Sequence, residues 1–210
     1  MRVSLRWLAL ALCALTLSAC VALGGKSHLS GGPYQGVVRD KATGEPIANA
    51  MVLIKWNGST NAFSGGGRSL CYYHEPARTG SDGGFAIKPW RVSTDTGGRD
   101  PTWLPYIEHS HIEPLIFAPG YRQHFSTWGD PMKLELERFP LDQVNEEIGF
   151  LLVLRYKTVC LGHDNRVDLP MRLSIYRRAI ALAESNPTKL NDSIRRVVDG
   201  FRDELKENAP

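Results

Sequence analysis

Glu108-His109-Ser110-His111 sets two imidazoles at i and i+2. On a strand, residues at that spacing share a face, so both could ligate one metal ion, with His74, His124 or Glu113 as a third ligand. Two histidines in a Pro-rich stretch are more often plain surface groups. A second set is aromatic: Trp90, Trp103 and Tyr106 fall among Pro and Gly in the segment from Pro89 to Ser110. Rings on a long loop stack on sugars or anchor a partner, whereas rings over the open end of a β body would cap its core. The chain has no H-E-x-x-H, H-x-x-E, G-x-S-x-G, Walker loop or dinucleotide fingerprint. Its Ser, His and Asp residues have no spacing that selects a triad. The expectation is a protein without catalysis or cofactor.

A covalent site stands at the amino end. Arg2 and Arg6 form a basic region, Trp7–Leu17 is an apolar run too short to span a bilayer comfortably, and Leu17-Ser18-Ala19-Cys20 follows. That tetrapeptide resembles the bacterial lipobox. The resemblance implies lipid on the Cys20 thiol, cleavage of residues 1–19, and acylation of the new amine. Several acyl chains make a stable anchor where one is marginal. Val21, rather than Asp, after Cys20 implies outer-membrane sorting, facing the periplasm. The alternative is an ordinary secretory leader that contains a cysteine. Residues 20–33 are Gly/Ser-rich and read as a flexible tether.

Four cysteines are present. Cys13 leaves with the leader and Cys20 carries lipid. Cys71 and Cys160 remain, an even pair in an oxidising compartment, so a disulfide is expected. Two buried free thiols are the alternative.

A hydrophobic content of 42% and a charged content of 22% describe an ordinary soluble body. Arg2 and Arg6 account for two of the formal +3, leaving +1 on the rest, which contains every acid. That balance excludes an electrostatic case for nucleic acid.

These groups need a scaffold. Gly36–Ile54 reads as strand, turn, strand: Asp40–Gly44 is a turn cluster, and Ala50, Val52, Ile54 and Trp56 recur with period two. Met51, Leu53 and Lys55 on the opposite face suggest that it too is half covered. Asn57–Arg68 reads as loop, Leu70–His74 as strand, and Thr79–Ile87 as a compact hairpin around Asp82-Gly83. Further strands are expected at Glu113–Ala118, Tyr121–Thr127 and Met132–Phe139, the last with Leu134 and Leu136 inward and Glu135 and Glu137 outward.

Four motifs now stand in order: Gly36-x-Val38-x-Asp40; Thr43-Gly44-x-Pro46-Ile47-x-x-Ala50-x-Val52; Thr79-x-x-Asp82-Gly83-x-Phe85; and Ala118-Pro119-Gly120-Tyr121. Together they resemble the carboxypeptidase regulatory-like domain. The resemblance implies a transthyretin-like, Greek-key β-sandwich of about seven strands over residues 34–140. The long segment from Pro89 to Ser110 departs from that compact module. The zinc carboxypeptidases that carry such domains have a catalytic half that is missing here. The terminal Tyr-Arg-Gly-Ser of transthyretin-like hydroxyisourate hydrolases is replaced by Glu207-Asn208-Ala209-Pro210.

Residues 141–210 switch to helical period. Val144, Ile148, Leu151 and Leu152 fit one face of a helix ending near Cys160, although Phe150–Tyr156 also passes as a buried strand. Asp168 can cap a second helix with Leu169, Leu173, Tyr176, Ile180 and Ala183 on one stripe. Asn186-Pro187 starts a third, with Leu190, Ile194, Val197, Val198, Phe201 and Leu205. Arg177, Arg178, Arg195 and Arg196 read as a solvated face. The fold class is mainly β with an α appendage packed on it, stapled by Cys71 and Cys160.

The expectation for function is a non-catalytic lipoprotein of the bacterial envelope, held to a membrane through Cys20, that binds or scaffolds a protein or glycan. Two alternatives stand beside it: a metal-dependent binder or hydrolase built on His109 and His111, and a structural subunit tethering an envelope assembly.

Overall fold

Alternation along Ala50–Trp56 decides the architecture, because it leaves both faces of one strand buried. In a computed structural model, residues 27–60, 68–94, 107–123, 133–160 and 167–208 are described, without the side chains at 27–29, 58–60, 68–70, 72, 92–94 and 107–111. The leader, Cys20, Trp103, Tyr106 and His124 lie outside them. Strands β1 (Ser27–Gly31), β2 (Tyr34–Asp40), β3 (Met51–Thr60), β4 (Arg68–Arg78), β5 (Gly84–Ile87), β6 (Trp90–Thr94), β7 (Ile107–Phe117), β8 (Tyr121–Gln123) and β9 (Lys133–Arg138) precede helices α1 (Val144–Thr158), α2 (Leu169–Ser185) and α3 (Asp192–Glu207).

The strands form three sheets, ordered β5-β2-β9-β8, β4-β3-β7 and β1-β6. Pairing is antiparallel except between β2 and β9. One apolar cluster joins Val38, Phe85, Ile87, Leu134 and Leu136 of the four-stranded sheet to Val52, Ile54, Trp56 and Ile116 of the three-stranded sheet. A second cluster joins Leu53, Leu115 and Phe117, on the other side of that sheet, to Ile148, Leu151, Leu154, Ile175, Tyr176, Val198 and Phe201 of the helices. The layers therefore run sheet, sheet, helices, and β3 is covered twice. Each large side chain so buried contributes roughly 1.5–3 kcal/mol.

Three ties hold the turns. Asp40 is 2% exposed. Its carboxylate accepts from the N–H groups of Ala42 (2.8 Å) and Thr43 (3.2 Å), from the Tyr121 hydroxyl (3.2 Å) and from Arg138 Nε (2.7 Å). The Thr79 hydroxyl donates to Ile47 O (2.7 Å) and accepts from Ala50 N (2.8 Å). Gly83 has φ +73°, and a Cβ there would lie 2.5 Å from Val38 O; only glycine fits.

Several expectations are corrected. Thr79–Ile87 is not a hairpin: β4 and β5 belong to different sheets, and the turn between them carries the chain across. Ser27–Gly31, expected within the tether, pairs with β6. The segment after Pro89 is not all loop, since β6 and the start of β7 occupy its two ends. Strand β4 runs on past His74 to Arg78.

Among the helices, α1 takes the helical alternative over the strand. Asp168 makes no capping hydrogen bond; its carboxylate is buried against Arg172 Nε at 3.1 Å. The buried stripe of α2 is Met171, Ile175, Tyr176, Ala179 and Ala183. Leu169, Leu173 and Ile180 are only partly buried, because α2 packs on both α1 and α3 and needs a wide apolar arc. Helix α3 starts at Asp192, capped by the Asn191 side chain on Ile194 N at 2.9 Å. Asn186 instead closes α2, its side chain donating to Leu182 O. Arg178 leaves the solvated set: it pairs with the buried Glu147 at 2.9 Å.

Candidate functional site

The helix-facing side of the three-stranded sheet changes character along its length. At one end it presents Leu53 and Leu115 to the helices. Two residues on, each strand presents a titratable side chain. Lys55 pairs with His74 on β4 and with Glu113 on β7, so three titratable side chains form one row across the sheet. Cross-strand neighbours of this kind stand close enough to interact directly. The row lies under the carboxy end of α1.

Lys55 is 6% exposed. Its Nζ donates to Lys157 O at 2.6 Å and to Val159 O at 3.2 Å, two of the carbonyls a helix end leaves without partners. A cation there also complements the helix dipole. Glu113 lies 3.9 Å away. Burial pulls the lysine below its ordinary pKa, against the opposing charge of Glu113. For Glu113, burial alone would raise the carboxyl. The hydrogen bond and charge of Lys157, with the charge of Lys55 and a bond from Asn57, outweigh it and hold the group low. Lys157 Nζ reaches Glu113 Oε1 at 2.7 Å and Asn57 Nδ2 reaches Oε2 at 3.1 Å. Asp168, at the start of α2, is fully buried, and that burial raises its pKa despite Arg172.

The next row is reached through a β-bulge. Trp56 pairs with Tyr73 and Asn57 with Cys71, so Tyr72 has no partner across the ladder. Cys71 is joined by a disulfide to Cys160, just past the end of α1, with a Cα–Cα distance of 5.2 Å. One ligand atom from each of Cys71, His74 and Cys160 lies within 4.8 Å of the others. His109 and His111 lie on the backbone of β7, at a second irregularity of register opposite Gly58, and their side chains lie outside those described. Glu113 and His74, considered as third ligands for that pair, belong to the row with Lys55.

Of the expected aromatic loop residues, Trp90 is among those described. It opens β6 and is buried, stacked on Tyr73 at 4.4 Å and tilted against Trp56 at 4.9 Å. It sits inside the inter-sheet cluster rather than on a surface loop.

A shallow groove runs between α1 and α3, lined by Leu152, Arg155, Tyr156, Arg196, Val197 and Gly200. Tyr156 is 62% exposed and its ring lies 4.7 Å under the Arg155 guanidinium. Beneath them Arg155 and the Tyr176 hydroxyl both bind Glu204.

Sequence reasoning missed the Lys55 row and the groove. Lys55 is expected on a half-covered face with Met51 and Leu53, but the position opposite it in register is not visible in one sequence. No family model matches the chain, and neither a curated protein nor a solved structure matches it.

Proposed function

We propose that this protein is a lipid-anchored, non-catalytic module of the bacterial envelope that binds or scaffolds a protein or glycan. In this reading its β layers are a transthyretin-like Greek-key sandwich, and the helices form a third layer that presents the binding surface. The anchor rests on Leu17-Ser18-Ala19-Cys20. One observation of geometry carries the rest. The buried charges Asp40, Lys55 and Glu147 each tie one structural element to another, while the groove between α1 and α3 offers the ring of Tyr156 and the exposed Arg196 to solvent. Tyr and Arg are the residue types most enriched where proteins dock.

The test is crosslinking in intact envelopes, comparing the wild-type chain, Tyr156→Ala and Cys20→Ser. A discrete crosslinked species, lost in Tyr156→Ala without change in circular dichroism and lost on release of the chain by Cys20→Ser, supports the reading. A wild-type chain that turns over an envelope substrate, or one whose crosslinks are unchanged in both variants, contradicts it.

A further inference from the structure

The bulge at Tyr72 has a specific consequence for β4. Tyr73 packs against the inter-sheet cluster. In a regular strand Cys71, two residues away, would face the same way. The unpaired Tyr72 shifts the parity, so Cys71 joins His74 on the helix side, where Cys160 meets it. Bulges often re-aim a side chain in this way beside functional sites. A disulfide alone does not need an imidazole within reach of both sulfurs, and here one is supplied from the same strand.

We propose that reduction of the Cys71–Cys160 bond opens a site for a thiophilic metal ion, held by both sulfurs and one imidazole nitrogen of His74. Two thiolates and an imidazole are the donor set of borderline and soft ions, zinc among them, and three protein ligands leave one position for water. Thiolates sharing one zinc sit about 3.8 Å apart, given Zn–S bonds of about 2.3 Å. Cysteines whose Cα atoms are 5.2 Å apart reach that spacing by side-chain rotation. The redox step balances with an external dithiol. It gives two electrons and two protons to the S–S bond and ends as its own disulfide. Zinc then displaces the two thiol protons to solvent. The two states exclude each other, so the site is open to metal only under reducing conditions.

The test uses the full chain in detergent with Cys13→Ser and Cys20→Ser, which leaves Cys71 and Cys160 as its only thiols. A phosphine reduces the bond and leaves as its oxide. Zinc binding is read by competition with a chromophoric chelator, and Co2+ is used for thiolate charge-transfer absorption. The expected result is one ion per reduced chain and none per oxidised chain. His74→Gln should weaken binding by at least about tenfold, the smaller end of the effect seen for groups one shell further out, and should alter the cobalt spectrum. Circular dichroism of oxidised His74→Gln checks its fold. A reduced chain that unfolds and is refolded by zinc also supports the site. A reduced chain that binds no ion, or a His74→Gln chain that binds as tightly with the same spectrum, overturns it.

Discussion

Arg138 Nε donates to Asp40 at 2.7 Å, joining the last residue of β9 to the last residue of β2. The same guanidinium lies 5.1 Å over the ring of Tyr121, whose hydroxyl also donates to Asp40. One carboxylate thus fastens β2, its following turn, β8 and β9.

Asp40 should make stability acid-sensitive. The bond from Arg138 holds its carboxyl at about 2, against 3.8 for the ordinary group. A depressed folded pKa contributes stability that is complete above the ordinary value and is lost as pH falls through the folded value. The loss therefore falls between about pH 4 and pH 2. Thermal melts should show Asp40→Asn below wild type at neutral pH, with the two converging near pH 2. Parallel curves across that range would contradict the assignment.

Gly83→Ala, at a buried turn position, should be a costly substitution. It places a Cβ 2.5 Å from Val38 O at φ +73°. Strain of this kind costs about 1–3 kcal/mol. Gly44 also has positive φ but meets no atom within 4 Å, so Gly44→Ala should cost less. Urea denaturation of the two variants gives the order, and equal midpoints would refute it.

How much of this was visible beforehand follows from what each residue depends on. Gly83, Thr79 and Asp40 lie in motifs whose residue types announced the turns, although the partners they meet there, Val38, Ile47, Ala50, Tyr121 and Arg138, are distant in sequence. The two buried faces of β3 were legible from alternation. Lys55, Glu113 and His74 were not, because their partnership is set by register between strands far apart in the chain. The bulge at Tyr72 leaves no periodic mark, since one extra residue in a polar strand looks like ordinary irregularity. The inward face of α2 was legible in part, at Tyr176 and Ala183. Its other members, Met171, Ile175 and Ala179, were not, because a helix between two helices buries more than one stripe and sequence alone does not say which is central.

Lys55→Met should destabilise the junction of sheet and helices. It leaves the carbonyls of Lys157 and Val159 without the Lys55 donor and removes one of the two cations beside Glu113, Lys157 remaining at 2.7 Å. Leaving a buried polar group unsatisfied costs about 1–3 kcal/mol. Hydrogen exchange should rise first at the carboxy end of α1. Unchanged exchange there, with unchanged urea midpoint, would remove Lys55 as the tie.

The bond between Cys71 and Cys160 should be present in protein isolated under oxidising conditions, as a linked peptide in a non-reduced digest. It closes a sequence separation of 89 residues. In the chain-entropy model, closing so long a loop stabilises by about 4–5 kcal/mol, so reduction should lower the urea midpoint accordingly. Two free thiols in the digest would contradict this.

The account of function stands on the anchor at Cys20. Intact-mass and amino-terminal peptide analysis of the chain isolated from its membrane fraction tests it most directly. The predicted result is a chain beginning at Cys20 and carrying acyl groups on its sulfur and amine. A chain recovered from cytosol with Met1–Ala19 still attached and Cys20 unmodified would contradict it.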